Sequence, residues 1–225
     1  MTAVPDQQII KAISARQVSQ GVENAADISY LTVRYAREYS GLEECIGLEF
    51  LVLVGCDVDH IPLLDRHPSL RQLSVRDSAV RGIDGVQFGR KLYQIELPRN
   101  FVEDVEPLLE CAQLNSVDVT GNPLSDASYY EVLPKLERKG VRISAPTPQE
   151  RDLMLRMRSI GLPFAYYHMG DSYRLSRPGL KLTDMPQADH IKINPEELDS
   201  LIESGRETLA GIFDRRDLIP TLENP

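Results

Sequence analysis

No stretch of this 225-residue chain approaches the roughly 20 consecutive apolar residues that a membrane helix requires, so no membrane partner is expected. Cysteine is scarce. Three residues, an odd number without metal-type spacing, argue against a disulfide framework and for a reducing compartment. Basic charge is also short: 25 Lys and Arg stand against 34 Asp and Glu, a formal net charge of −9. Nucleic-acid binders carry a basic stripe that releases counterions, so no nucleic-acid partner is expected. The acidic balance leaves two readings open, an ordinary solvated surface and an acidic binder of a basic target. The opening MTAVPDQQII lacks a basic segment followed by an apolar one; no secretory signal is expected, and the expected location is cytoplasmic. Length and an apolar content of 42% suffice for one elongated domain or two small ones with a real core.

What is present is a period. Leu48, Leu70, Leu92 and Leu114 follow one another at 22-residue intervals. Three residues on stand Leu51, Leu73, Ile95 and Val117, and two further on Leu53, Val75, Leu97 and Val119. Val58, Val80, Val102 and Leu124 form a fourth column, and Ile61, Ile83, Val105 and Ala127 a fifth. Chance does not hold five apolar columns in register over four copies. L-x-x-L-x-L is a short strand whose alternate side chains enter a core. Eight residues after each leading leucine comes Cys56, Ser78, Asn100 or Asn122, a polar or small side chain suited to turning inward and bonding the backbone of the adjacent coil. One coil cannot bury its apolar face alone, so neighbouring coils must stack.

These repeats resemble the 22-residue class of leucine-rich repeats, as in bacterial internalin-like proteins. Thr120 to Ser144 is similar to the closing unit that follows such arrays, and the stretch with Ile9, Ile10 and Ile13, then ADISYLTVRYA and GLEECIGLEFL, is similar to their lead-in. Ile28, Leu31 and Val33 read as a degenerate first coil, offset by 20 residues instead of 22. The resemblance covers Ala26 to Ser144 and implies an α/β fold: a leucine-rich-repeat solenoid with a short curved parallel sheet of about five coils. Internalins are secreted and surface-attached; their signal and anchor have no counterpart here, so their host-receptor role is not expected. Residues 1–27 are expected to cap the array, 28–145 to form the solenoid with its closing unit, and 146–225 to form a small α+β domain or cap.

In that last segment, Thr147-Pro148-Gln149-Glu150 opens a capped helix that runs to Gly161. FAYYHM and SYRLS flank Gly170-Asp171 as a β-hairpin, IKI at Ile191 to Ile193 is a short strand, and Asn194-Pro195-Glu196-Glu197 opens a helix carrying Leu198, Leu201, Ile202 and Leu209. The segment is either an independent domain or a cover on the open end of the solenoid.

The x positions of L-x-x-L-x-L face the concave surface. Down the columns they read Phe50, Gln72, Gln94 and Ser116; then Val52, Ser74, Glu96 and Asp118; then Val54, Arg76, Pro98 and Thr120. Glu49, Arg71, Tyr93 and Asn115 flank them. Exposure of Phe50, Val52 and Val54 would demand a partner or coverage by the N-terminal segment. Arg71, Arg76, Tyr93 and Arg99 are of the types enriched at interface hot spots. The expected recognition surface is Phe50, Val52, Arg71, Gln72, Arg76, Tyr93, Gln94, Glu96 and Asp118 on the concave face.

Candidate chemistry is thin. His60, His67, His168 and His190 lack a spacing that puts two on one helical face. Asp57-Val58-Asp59-His60 could suggest a metal site but falls at a strand exit, where solvated polar residues belong. Cys45, Cys56 and Cys111 read as packing residues. Gly82, Gly85 and Gly89 follow no strand-to-helix junction, so there is no phosphate loop. The best catalytic cluster is Tyr166, Tyr167, His168, Asp171 and Tyr173, which an ordinary amphipathic hairpin also explains. The expectation is a non-catalytic module without cofactor or metal that binds a protein, in an immunity-type or regulatory role. The alternatives are a two-part protein whose C-terminal unit carries an activity, and an effector delivered without a signal peptide.

Overall fold

The structure, a computed structural model, describes residues 4–62, 64–179 and 190–214. Leu63 of the second coil's return, and residues 1–3, 180–189 and 215–225 of the expected terminal units, lie outside the described residues.

The chain is a leucine-rich-repeat solenoid followed by a small α+β unit. It opens with helix α1 (Gln7–Gln20). Asp6 caps it, one carboxylate oxygen accepting from Gln8 N–H at 2.7 Å, while the other accepts from Arg37 N–H at 2.9 Å in the first coil. One residue thus starts the helix and fixes it to the array. Ile9 and Ile13 enter the core; Ile10 stays exposed.

Six parallel strands follow: β1 (Tyr30–Arg34), β2 (Phe50–Val54), β3 (Gln72–Arg76), β4 (Gln94–Glu96), β5 (Ser116–Asp118) and β6 (Arg142–Ser144). Phe50 pairs with Gln72, Gln72 with Gln94 and Gln94 with Ser116, so each step in register is 22 residues. Tyr30 pairs with Phe50, a step of 20, as expected of the first coil. Ser116 pairs with Arg142, a step of 26. The closing segment therefore adds a sixth strand, and its longer return accommodates a helical run that ends in α2 (Leu133–Arg138). Leu31, Leu51, Leu73, Ile95 and Val117 stack as one buried column in a continuous core.

The inward-turning column behaves as its chemistry requires. Asn100 accepts from Val80 N–H and donates to Val75 C=O at 2.8 Å, both in the preceding coil. Asn122 repeats this one coil on, with Val102 N–H and Leu97 C=O. Ser78 accepts from Cys56 N–H at 3.0 Å, and the Cys56 thiol lies 3.6 Å from Val54 C=O of its own coil. Buried backbone groups between coils are thereby paired by side chains. The residue before each of these, and Tyr35 at the same point of the first coil, is left-handed: Tyr35, Gly55, Asp77, Arg99 and Gly121 have φ between 52° and 68°. The first five strands are left through the same turn.

Helix α3 (Pro148–Ser159) starts with the expected capping box between Thr147 and Glu150. Strands β7 (Ala165–Met169), β8 (Ser172–Ser176) and β9 (Ile191–Lys192) form an antiparallel sheet, with Gly170 in the hairpin turn. The expected last helix is two, α4 (Pro195–Glu203) and α5 (Arg206–Ala210), separated at Gly205, so Leu209 belongs to the second. Leu153, Met157, Tyr166, Leu175, Ile191 and Leu198 build a second core apart from the solenoid's.

This unit meets the third, fourth and fifth coils past the ends of their strands. Gly179 N–H donates to Asp77 C=O at 2.9 Å in the third coil. Tyr167 lies under the Arg99 guanidinium, 4.8 Å away, in the fourth. Arg158 pairs with Glu103, and Arg151 donates to Leu124 C=O and Asp126 in the fifth.

Candidate functional site

Strand alternation leaves one face of the six-stranded sheet open. Register joins its side chains into columns: Tyr30, Phe50, Gln72, Gln94, Ser116 and Arg142 form one. Thr32, Val52, Ser74, Glu96, Asp118 and Ser144 form the next. Phe50 and Val52 are half-buried beside Tyr30, whose ring carries the Arg16 guanidinium of α1 at 4.5 Å. Val54, Ser74 and Pro98 are buried. The apolar strip is therefore Tyr30, Phe50 and Val52, narrower at its far end than the sequence pattern alone implied.

Polar side chains on the middle strands are tied to one another. Arg76 Nη2 donates to Ser74 Oγ at 2.8 Å and to Glu96 Oε2 at 3.0 Å. Gln94 Nε2 donates to the other Glu96 oxygen at 2.7 Å. Arg76, Gln94 and Glu96, three of the expected site residues, thus form a single network across two strands. Gln72 stands in the same column as Gln94. Asp118 accepts from Thr120 N–H and Oγ at 2.9 and 2.7 Å, which fixes its carboxylate at the strand end. Arg71 and Tyr93 sit together at the strand-entry edge, guanidinium 5.6 Å from ring centre.

Arg99 differs from the hot-spot type it resembles in sequence. Its side chain is 12% exposed and is engaged by Asp77 and Tyr167, so it belongs to the junction with the C-terminal unit. Burial opposes its charge, and the hydrogen bonds and charge of Asp77 outweigh that opposition, holding the guanidinium above its ordinary pKa.

The hairpin cluster divides: Tyr173 stacks on Tyr166 at 5.4 Å and meets His168 at 4.9 Å, while Tyr167 faces the other side. Tyr166 is buried, its hydroxyl donating to Ile193 C=O, whereas Tyr167 meets His190 Nδ1 at 2.7 Å on the rim side. Burial pushes both phenols above their usual range, so neither is a base at neutral pH. His168 and Asp171 are exposed. Burial likewise pushes the Cys45, Cys56 and Cys111 thiols up to about 11. His60 Nδ1 lies 2.6 Å from Asp59, both exposed, and the imidazole lowers that carboxyl's pKa through the hydrogen bond first and its charge second. Among the described residues no three His, Cys, Asp or Glu side chains could share a metal ion, and no helix is long and apolar enough to cross a membrane.

Two features escaped the sequence reading. One is the Asp77–Arg99 pair, whose left-handed backbone no glycine announces. The other is Arg90 and Lys91, which join Arg71 and Tyr93 around a groove of about 550 Å³. The signal for the second was available: of the four 22-residue coils, the third alone places a basic pair at that point.

No protein-family profile matches the chain, and no curated protein matches it. Solved structures similar to it include internalins of Listeria monocytogenes. InlF is 15% identical, with 63% of this chain and 56% of that one covered at a TM-score of 0.35. The functional domain of InlJ, which includes a cysteine ladder, is 13% identical over 66% and 44%, at 0.41. Internalin C2 is 13% identical over 64% and 88%, at 0.32. The chain spans about half the length of the first two.

Proposed function

We propose that the chain is a protein-interaction module that recognises a protein partner on the open face of its sheet. One observation carries this reading. Register joins side chains from successive coils into one continuous surface, apolar at Tyr30, Phe50 and Val52 and charged at Arg76, Glu96 and Asp118. The Arg76–Glu96–Gln94 network holds the middle of that surface in one arrangement before anything binds. Side chains already ordered lose less entropy on association, and aromatic and Arg side chains dominate binding energy at interface centres. A fixed surface of this kind suits holding or masking a partner, the regulatory or immunity-type role, better than turning over a substrate. The raised thiol pKa values of the three cysteines support the same reading, because the thiolate is the nucleophile.

The test captures a partner from the native host with the full chain, then measures its affinity, once purified, for wild type, Phe50→Ala and Arg76→Ala. The expected result is binding weakened about tenfold or more in at least one variant, which is about 1.4 kcal/mol, with thermal unfolding of Arg76→Ala unchanged. Equal affinity in both variants, or no partner at all, would remove the open face as the binding site.

A further inference from the structure

The third coil ends on two cations that the repeat does not require. Residues at that point of the four 22-residue coils are Ile46-Gly47, Pro68-Ser69, Arg90-Lys91 and Ala112-Gln113, so among these four the third alone carries charge there; the closing segment carries Arg138-Lys139 at the same register. A tight turn sets the pair in place. Arg90 N–H donates to Phe88 C=O and Leu92 N–H to Gly89 C=O, both at 2.9 Å. Leu92 is anchored in the core, and Arg90 and Lys91 beside it are exposed. They line a groove of about 550 Å³ at the strand-entry edge, with Arg71 and Tyr93. The Tyr93 ring holds the Arg71 guanidinium at 5.6 Å, within the range of a cation–π contact.

Two arginines of the coils are neutralised, Arg76 by Glu96 and Arg99 by Asp77. Arg71, Arg90 and Lys91 take no ion pair among the described residues, and Glu49, the groove's one carboxylate, makes none with them. Three unneutralised cations around one groove raise its potential, and an entering anion relieves their mutual repulsion. On a chain of net charge −9, that potential is local. An acidic ligand is repelled by the rest of the surface and drawn to this edge, which orients it as well as binding it.

Resting on the interaction reading above, we infer that this groove receives an acidic segment of the protein partner, a short run of Asp and Glu. The charge arrangement selects that chemistry. The cations stand at the two ends of one coil, between Glu49 and Tyr93 of its neighbours, and spread along an open groove, matching carboxylates strung along a peptide. Glu49 lies in the same groove and would meet a dianionic phosphate with more repulsion than it meets a single carboxylate.

The test uses the full chain and a fluorescein-labelled peptide of about eight glutamates, read by anisotropy at low and physiological salt. Inorganic phosphate serves as competitor, and Arg90→Glu/Lys91→Glu and Arg76→Ala as variants. The expected result is peptide binding that weakens with salt, falls about tenfold or more in the charge-reversed variant and is unaltered by Arg76→Ala. Equal binding by the charge-reversed variant would overturn the inference, as would displacement by phosphate at concentrations where chloride of equal ionic strength has no effect. The probe is a peptide and not the partner. A partner indifferent to Phe50→Ala and Arg76→Ala would therefore sink the open-face reading while leaving this result interpretable.

Discussion

Arg99 reaches back one coil to Asp77 and holds both carboxylate oxygens, Nε to Oδ1 at 2.6 Å and Nη2 to Oδ2 at 2.8 Å. The two residues are 22 apart, both in the left-handed conformation that ends a coil. Their side chains are 12% and 1% exposed, and the carboxylate also lies 3.7 Å from His190 Nε2. One ion pair therefore joins two coils and the C-terminal unit.

Removing one partner leaves the other charge buried without compensation. Arg99→Ala should destabilise the chain by about 3–5 kcal/mol, whereas the combined Asp77→Asn/Arg99→Met variant should lose much less. Urea unfolding of the three proteins checks this. A loss below about 1 kcal/mol in Arg99→Ala would show the pair to be more solvated than its exposure indicates.

This pair also marks where the sequence stops being legible. Coil stacking was readable because buried columns such as Leu51, Leu73, Ile95 and Val117 must repeat at the coil length. Hairpin and helix starts were readable because Gly170, Thr147 and Asn194 do local chemistry. Tyr35 and Arg99 carry side chains that do not advertise a positive φ, so the shared exit turn was hidden. The sixth strand was missed because its return is 26 residues long and breaks the period. Docking of the C-terminal unit along the rim joins Asp77 to Gly179 and Arg99 to Tyr167, contacts between distant positions that no local pattern encodes. Of the candidate site, the open-face columns followed from alternation, but the groove at Arg71, Arg90 and Lys91 exists only once neighbouring coils stack.

Acid should weaken the solenoid through His67. Its side chain is buried in the core, with Nδ1 3.3 Å from Cys45 C=O one coil back. Burial lowers its pKa below 6.5, outweighing the opposing effect of that carbonyl. In the unfolded chain the imidazole takes a proton near 6.5, so between its folded value and 6.5 the unfolded state binds more protons. Stability from this group is therefore complete above 6.5 and is lost as pH falls from 6.5 through the folded value. Unfolding free energies of wild type should fall more steeply than those of His67→Gln from pH 6.5 down to about 5. Parallel slopes would rule His67 out as the source.

Gly179 leaves no room for a side chain where the two units meet, and it yields a prediction with an internal control. A Cβ there would stand 2.9 Å from the Ala79 Cβ, and the backbone has φ +78°. Gly179→Ala therefore meets two separate costs. The left-handed backbone costs a residue with a side chain about 1–2 kcal/mol. Forcing an extra methyl against Ala79 costs about 1–3 kcal/mol, or displaces the C-terminal unit from the rim. Ala79→Gly in the same chain removes the second cost and leaves the first, so the double variant should recover roughly half of the loss. Hydrogen exchange separates the remaining possibilities. Relief of the clash by displacement should speed exchange of Gly179's neighbours and of Tyr167 while the Leu73 and Ile95 strands stay protected. Failure of Ala79→Gly to recover any stability would mean that the backbone conformation alone, and not the contact between units, makes glycine necessary at this position.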